Sequence, residues 1–186
     1  MALKNSCKME EALVNCALGK IQISACEKGV HEIKLQEDAV PEARAQGASV
    51  SFELVEGPQE MIPPLKQCTA WLKSYFCDPQ LTEKLPIPEF HHPLFIKDSF
   101  TKAVLMALLK KVKLGETVSY KELAVMAGNE KAVRAVGGAM RSNPIPILIP
   151  CHRVICSNGS LGNYIGGKGN HLKLWLLAHE KLLKEM

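Results

Sequence analysis

The stretch "SYKELAVMAGNEKAVRAVGGAMR", residues 119–141, decides the fold of the second half of the chain. Ser119 and Glu122 have the spacing of a capping box, which predicts a helix beginning at Tyr120 and ending at the following glycine. Asn129 can cap a second helix that runs through "EKAVRAVGGAMR". Two short helices joined by a Gly-Asn turn, the second of them basic, are the pattern of a helix-turn-helix.

The second of these helices has almost no large side chains. Reading the major groove requires Asn, Gln or Arg at several base-facing positions, and this helix lacks them. Inside a helix, Gly137 and Gly138 each lower helix stability by about 1 kcal/mol relative to alanine. Two such residues are expected only where they serve a purpose, such as the close approach of another surface. A narrow helix suits the minor groove and predicts DNA binding with little sequence preference, with Arg134 as a wedge. The alternative is a small-faced helix packed against its own core.

Further helices are predicted on both sides of this motif. "DSFTKAVLMALLKKVKLG" has Asp98 or Ser99 as a possible N-cap, lysines in its last turn and Gly115 as its end. "NHLKLWLLAHEKLLK", residues 170–184, predicts a last helix. The second half of the chain is therefore expected to be mostly helical.

The first half has a different pattern. Residues 10–35 alternate as strands do, and "GKIQISACEKGVHEIKL" predicts a hairpin that turns at 27–29. Residues 36–63 are polar and rich in glycine and proline, so most of them are expected to form a loop. "PLKQCTAWLKSYF" has helical spacing, and the proline-rich "LPIPEFHHP" is expected to link two modules.

Composition and charge support two modules. The chain has 186 residues, of which 47% are hydrophobic, enough for a globular core. Residues 1–95 carry 9 Lys/Arg against 13 Asp/Glu, whereas residues 96–186 carry 14 against 6. This asymmetry suggests that the second module faces an anionic partner. A modest excess of Lys and Arg more commonly indicates only a solvated basic surface. The seven scattered cysteines, with no signal peptide or membrane span, predict an intracellular protein with reduced thiols.

A cysteine, a histidine and an arginine stand together in "PIPILIPCHRVICSNGSLGNYIGG", residues 144–167. A thiolate is a strong nucleophile, and the adjacent His152 can take the proton of Cys151 while a carboxylate such as Glu180 orients the imidazole. For a bare Cys-His pair, a buried cysteine beside a satisfied histidine is the commoner meaning. The framing prolines and the glycine-rich loop favour a rigid site that faces a mobile lid.

These motifs resemble one family. "RAVGGAMRSNPIPILIPCHRVICSNGSLGNYIGG" is similar to the O6-alkylguanine-DNA alkyltransferases, and "WLLAHE" is closest to their vertebrate form. The resemblance implies an α/β protein. Its N-terminal domain, residues 1–92, would be an α/β roll with a three-stranded antiparallel sheet. Its C-terminal domain, residues 93–186, would be mostly helical, contain the helix-turn-helix and carry the alkyl acceptor.

The resemblance also implies roles for individual residues. Cys151 would accept the alkyl group, and His152 would take its proton through a water while Glu180 orients His152. Asn143 would brace the loop that carries the thiol, and Tyr120 would donate a hydrogen bond or a proton to the guanine leaving group. The flipped nucleotide would leave a gap for Arg134 to fill, because the reacting carbon lies inside the duplex. Since a thioether has no easy route back, each molecule would react once.

Two larger sets of residues follow from the same resemblance. Contacts to DNA are expected from Arg134, Tyr120, Lys131, Ala135, Gly137, Arg141 and Ser157. The substrate pocket is expected to be lined by Met140, Val154, Asn163, Tyr164, Ile165 and Gly166. Ile165 departs from the family, which has a small polar residue there, and the segment at 168–174 differs in length and composition. Both departures bear on which bulky lesions are accepted.

A metal site is implied in the first half of the chain. Cys7, Cys26, His31 and His91 match the zinc ligands of the vertebrate members, and two sulfurs with two imidazoles suit tetrahedral zinc. Spacing alone is a weak signal, because ordinary thiols and a loop histidine give the same pattern, and His92 can replace His91. The zinc would be structural.

The function implied is direct reversal of O6-alkylguanine, and of O4-alkylthymine, in double-stranded DNA. We expect a nuclear monomer with no membrane association and no obligate protein partner. Two other classes fit parts of the sequence. A lesion-binding protein without transfer activity would lack the nucleophile that Cys151 supplies, and a cysteine hydrolase would have no use for the basic helix at 130–141.

Overall fold

The computed structural model describes residues 7–36, 52–162, 164 and 169–184. The chain divides into two compact units, residues 1–93 and 94–186. The boundary lies one residue beyond the predicted one. In the part of the chain that the structure describes, no helix has the length and apolar character needed to cross a membrane.

The first unit contains an antiparallel sheet. Its strands are β1 (Glu10–Cys16), β2 (Gly19–Cys26), β3 (Gly29–Leu35) and β4 (Phe52–Glu56), in the order β3-β2-β1-β4. The β2–β3 hairpin turns where the alternation predicted. Among the described residues, however, the sheet has four strands, and not the three that the resemblance implied, because β4 pairs with β1 inside a stretch expected to be loop. β4 is an exposed edge strand with charged residues, so it lacks the buried alternation that signals a strand.

One helix covers this sheet. α1 (Pro63–Cys77) begins at Pro63, which suits the first turn of a helix, and ends close to the predicted position. Its apolar stripe is fully buried and comprises Leu65, Cys68, Leu72, Tyr75 and Phe76. The inward residues of the strands alternate, as Ala12, Val14 and Cys16 do along β1. The core of the first unit therefore forms between one sheet face and one helix.

The second unit is mostly helical. After the short α2 (Pro93–Ile96) comes α3 (Phe100–Lys111), whose N-cap is Ser99: the Ser99 hydroxyl accepts from the Lys102 N–H. The helix-turn-helix consists of α4 (Tyr120–Met126) and α5 (Val133–Ser142), and α6 (Asn170–Lys184) is the last helix described. The core of this unit includes Val104, Leu105, Leu108, Leu123, Val136, Leu172 and Leu176.

The start of the helix-turn-helix matches the prediction, and the start of its second helix does not. Ser119 and Glu122 form a complete capping box. Gly128 has a φ of 95°, which suits glycine at the end of a helix. Asn129 caps no helix: its side chain accepts from the Lys131 N–H within the turn. α5 begins at Val133, so Arg134 is its second residue and not its fifth, as the predicted start at 130 implied.

A short parallel strand pair joins this motif to the Cys-His-Arg segment. β5 (Val118–Ser119) pairs with β6 (Val154–Ile155), with Val118 opposite Val154. β5 leads directly into α4, and β6 directly follows Cys151–Arg153. The pair therefore fixes the start of α4 next to the segment that carries the cysteine.

Candidate active site

The segment before the cysteine is buried and tightly turned. Ile147 has a φ of 75°, and the Leu148 N–H bonds to the Pro146 carbonyl at 2.9 Å, which is the pattern of a classic γ-turn. A β-branched residue with positive φ is strained, and Ile147 is held there by complete burial. A second hydrogen bond between residues two positions apart follows, in which the Cys151 N–H donates to the Ile149 carbonyl. Cys151 then begins a 3₁₀ turn that runs to Arg153.

Asn143 lies at the base of these turns. Its side-chain NH₂ donates to the Ile149 carbonyl at 3.0 Å, and its oxygen accepts from the Ile145 N–H at 2.9 Å. The carboxamide therefore bonds to both ends of the turn centred on Ile147. This is the position in which a side chain braces the loop that carries Cys151.

Cys151 is buried and its thiol is protonated at rest. Burial raises the pKa of this thiol, and hydrogen bonds from Asn143 and Tyr164 and the charge of Lys173 lower it only partly. A protonated thiol is a poor nucleophile, so this cysteine would need a nearby base in order to react. The next residue, His152, is a side chain of the type that can act as one.

His152 and Glu180 form a buried pair. The Nε2 atom of His152 lies 2.5 Å from Oε2 of Glu180, and both side chains are almost fully enclosed. Burial lowers the pKa of His152, and Glu180 opposes this, so the imidazole is neutral near pH 7. The neutral ring donates its Nε2–H to the carboxylate. Its Nδ1 is buried and has no hydrogen-bond partner among the described residues, so it is the basic nitrogen.

Two buried cations surround this pair, and neither was among the predicted site residues. Arg153 donates through Nε to Glu180 Oε1 at 2.7 Å and through Nη1 to the Val112 carbonyl at 2.9 Å. Lys173 donates to the carbonyls of Val154 and Leu161. Lys173 lies seven residues before Glu180 on α6, which places both on one helix face. The sequence signal was the presence of charged side chains, Lys173 and Glu180, on the mostly apolar face of α6.

The phenol of Tyr120 lies at the start of α4. Burial raises its pKa, and the charges of Cys156 and Cys151 act in the same direction, so the hydroxyl stays protonated. A β-carbon at Gly162 would lie 3.2 Å from this hydroxyl oxygen. Gly162 has a φ of 73° and belongs to the loop after the cysteine. Tyr120 is therefore a proton or hydrogen-bond donor at the edge of the cysteine site.

The predicted DNA-contact residues lie on an accessible surface. Lys131, Arg134, Ala135, Arg141 and Ser157 are exposed, and Gly137 and Tyr120 are partly exposed. Among the described residues, a β-carbon at Gly138 would meet no atom within 4 Å, and one at Gly137 would meet Arg141 alone, at 4.0 Å. The two glycines therefore do not serve tight packing within the protein, which argues against the small-faced core helix. Only Val136 and Ala139 of α5 are buried.

The predicted pocket is described in part. Val154 and Tyr164 are buried, and Met140 is half-buried. Asn163, Ile165 and Gly166 lie outside the described residues. So does the first residue of the unusual segment at 168–174, whose later part is the first turn of α6.

The four predicted metal ligands meet in the first unit. Cys7, Cys26, His31 and His91 offer ligand atoms that all lie within 4.8 Å of one another. His91 is placed there because its N–H bonds to the Val30 carbonyl beside β3. The alternative ligand, His92, is not part of this group.

The spacing of these atoms fits tetrahedral zinc. His91 Nδ1 lies 3.2 Å from His31 Nε2, 3.3 Å from Cys26 Sγ and 3.5 Å from Cys7 Sγ. Zn–N bonds of about 2.0 Å and Zn–S bonds of about 2.3 Å imply N···N edges of about 3.3 Å and N···S edges of about 3.5 Å. The donor set and the three distances from His91 therefore suit zinc, and the largest separation in the group, within 4.8 Å, would have to shorten on binding.

Fold and site together define a helix-turn-helix protein that carries a buried cysteine, followed directly by a buried histidine–carboxylate pair, next to the motif. Residues 99–182 match the family model described as "6-O-methylguanine DNA methyltransferase, DNA binding domain". Residues 9–88 match the model for the ribonuclease-like domain of the same proteins. The chain belongs to the 6-O-methylguanine DNA methyltransferase family of DNA repair proteins.

Individual relatives agree with this assignment. The chain is 55% identical to a methylated-DNA–protein-cysteine methyltransferase of Cricetulus griseus, over 96% of this chain and 85% of that protein. It is 51% identical to the Homo sapiens protein of the same name, over 96% and 83%. Among solved structures, the Mycobacterium tuberculosis O6-methylguanine methyltransferase superposes with a TM-score of 0.67 at 26% identity, covering 94% of each chain. A structure of the same organism's OGT in complex with DNA gives a TM-score of 0.65 at 27% identity, covering 91% of each chain.

The buried pair makes stability depend on acid pH. Burial opposes ionisation of Glu180, but charge and hydrogen bonds from His152 and Arg153 hold its pKa well below the usual range. A depressed pKa contributes stability that is complete above the unfolded value of about 4.3 and is lost as the pH falls below it. Glu180→Gln should therefore lower the free energy of unfolding by about 3 kcal/mol at pH 7, and the difference from wild type should shrink toward pH 3.

Urea unfolding of both proteins at a series of pH values checks this expectation. Glu130→Gln is the matched control, because Glu130 is exposed and its removal should change little at any pH. A Glu180→Gln difference that stays constant from pH 7 to pH 3 would show that the carboxylate does not act through its charge.

Proposed function

We propose that this protein repairs O6-alkylated guanine, and O4-alkylated thymine, in double-stranded DNA by moving the alkyl group to its own Cys151. The observation that carries the proposal is the neutral, buried His152 beside a buried Cys151, with Glu180 behind it. This arrangement generates a thiolate only when a reaction demands one. The family membership and the exposed, small-faced α5 indicate that DNA presents the substrate.

The first step is proton transfer. Nδ1 of His152 accepts the thiol proton of Cys151 through a bridging water, and the Glu180 carboxylate stabilises the imidazolium that forms. Asn143 and the strained turn at Ile147 hold the sulfur in one place. A fixed nucleophile in a buried site gives an in-line attack without the cost of ordering it during the reaction.

The second step is displacement at the alkyl carbon. The S–C bond forms as the C–O6 bond breaks, and the electron pair of that bond leaves with the guanine. The protonated phenol of Tyr120 donates a hydrogen bond or its proton to this leaving group. The guanine anion takes up one proton, equal to the one that His152 accepted and then releases to solvent, so guanine is restored. Cys151 becomes a thioether, which has no easy route back, so one molecule acts once.

The reacting base must leave the duplex to reach a buried sulfur. α5 has open space beside its glycines, so its backbone can approach the minor groove closely. Arg134 is exposed at the N-terminal end of this helix and is the side chain that fills the gap left by the base. We expect Lys131 to contact a phosphate, and Arg141 and Ser157, which are also exposed, to contact the DNA.

Zinc binding at Cys7, Cys26, His31 and His91 completes the proposal for the first unit. Bound zinc would tie the segment at Cys7 to β2, β3 and the chain at His91, and it would stabilise the fold rather than take part in the transfer. Since chromosomal DNA is the substrate of a vertebrate-like member, we place the protein in the nucleus, and we propose that it acts as a monomer.

Benzyl transfer from O6-benzylguanine tests the function. The wild-type protein should gain the mass of one benzyl group, located on Cys151 by peptide mapping. Cys151→Ser should gain none yet still bind DNA, because a serine hydroxyl is much harder to ionise than a thiol. Cys77→Ser, which removes an exposed thiol in the first unit, should react normally.

Each failure has a distinct meaning. Transfer that persists in Cys151→Ser and maps to Cys156 would contradict the assignment of the acceptor. A wild-type protein that binds alkylated DNA without gaining mass would be a lesion-binding protein. Turnover of an ester or amide without a stable adduct would indicate a hydrolase.

Arg134→Ala should separate base flipping from chemistry. Flipping costs a few kcal/mol of stacking and pairing, so this variant should slow repair of alkylated duplex DNA much more than reaction with free O6-benzylguanine. Arg134→Leu should recover part of the duplex rate, because an apolar wedge can also fill the gap. Lys131→Ala is the control: it should weaken DNA binding regardless of the lesion and flatten the salt dependence. Equal losses on duplex and free base for Arg134→Ala would rule out the wedge.

Metal removal should affect stability more than transfer. Chelated protein should unfold at a lower temperature and still transfer benzyl, and added zinc should restore the melting temperature. His91→Ala should lose bound metal, whereas His92→Ala, its matched control, should retain it. Metal content and thermal unfolding measured side by side check this. Metal-free protein that is inactive but equally stable would show that the metal is catalytic.

A further inference from the structure

Arg153 is a buried cation within the active site that the steps above do not use. Its side chain is 8% exposed, and its guanidinium makes two directed contacts. Nε bonds to Glu180 Oε1 at 2.7 Å, and Nη1 bonds to the Val112 carbonyl at 2.9 Å, at the end of α3. The other oxygen of Glu180 bonds to His152. Arg153 therefore bonds to the Glu180 oxygen that the catalytic histidine does not contact.

The charge of this group has a direct consequence for His152. With a neutral imidazole, Arg153 and Glu180 sum to zero. Without the guanidinium, the same neutral imidazole would face a buried, uncompensated carboxylate, and a net charge in the interior is costly. The cheapest remedy is to protonate His152, which restores neutrality. A histidine that already carries a proton on both nitrogens cannot accept one from Cys151.

We propose that Arg153 is a positioning residue for alkyl transfer: it fixes Glu180 and balances its charge, so that His152 remains a neutral base in the resting protein. The inference rests on the proposed function and adds a residue to it. The bond to Val112 gives the guanidinium an anchor independent of α6. Through Arg153, the position of Glu180 is therefore fixed by the chain at the end of α3 as well as by α6.

The other charged groups around His152 do not replace Arg153. Glu180 and Lys173 face the imidazole from α6, Arg153 faces it from its own turn, and Cys151 is its neighbour. Lys173 is bonded to the carbonyls of Val154 and Leu161, and the structure gives it no bond to the Glu180 carboxylate. Arg153 is thus the cation in direct contact with that carboxylate among the described residues.

The pH dependence of benzyl transfer from free O6-benzylguanine tests the proposal, because this substrate needs no DNA binding. In Arg153→Gln, the acid limb of the rate profile should move up by about one to two pH units, since removal of a nearby positive charge favours the protonated histidine. The rate should therefore fall about tenfold at pH 7 and recover toward wild type near pH 9. Arg153→Lys keeps the charge and should leave the limb in place at a lower maximum rate. Lys102→Gln removes a half-buried cation that pairs with Asp98 outside the site, and it should match wild type.

The possible outcomes distinguish a wrong role for Arg153 from a wrong proposed function. A wild-type protein without transfer contradicts the proposed function itself. Wild-type transfer with an Arg153→Gln rate reduced equally at every pH means that Arg153 only supports the fold, and the inference is then wrong. If Arg153→Gln does not fold, Arg153→Lys decides the question. An acid limb of its rate profile that moves to higher pH although the charge is retained overturns the inference. An acid limb at the wild-type pH supports it.

Discussion

The active site of this protein depends on one buried carboxylate that bonds to both residues directly after Cys151. Glu180 accepts from His152 through one oxygen and from Arg153 through the other, so this side chain joins α6 to the turn that carries Cys151. Through Arg153 the same network reaches the end of α3. A buried ion pair is weak evidence of stability as such, but breaking one is costly, so this arrangement specifies a geometry. In this geometry the hydrogen bond from Nε2 to Glu180 orients the neutral imidazole of His152, and Nδ1 remains the basic nitrogen.

The second unit combines a rigid site with an open face. The cysteine is held by a strained turn at Ile147 and by the carboxamide of Asn143, both buried or half-buried. α5, by contrast, presents glycines with open space and an exposed Arg134. These properties suit their tasks, because attack at a saturated carbon requires a fixed nucleophile, whereas a minor-groove helix requires access. The short β5–β6 pair connects them by fixing Tyr120 next to the cysteine turn.

Local signals predicted much of the fold, and long-range contacts account for what was missed. The capping box at Ser119 and Glu122 is complete within four residues, so the start of α4 could be read directly. The start of α5 was placed too early because an asparagine suits a turn as well as a cap. β4 was missed because an exposed edge strand carries little hydrophobic alternation. Glu180 lies 28 residues from His152, so the residues alone offered it only as a possible carboxylate until the family resemblance gave it that role, and the role of Arg153 required the bond itself.

The central claim is that His152 is neutral in the resting protein, with its proton on the nitrogen that faces Glu180. Nitrogen-15 NMR of histidine-labelled protein, with His152 assigned by comparison with His152→Gln, measures this directly at pH 7. The account predicts a protonated Nε2 and an unprotonated Nδ1, with the doubly protonated ring appearing only at a pH below the ordinary histidine pKa of about 6.5. A His152 signal that shows protons on both nitrogens at pH 7 would contradict the account, because the residue could then not serve as the base for Cys151.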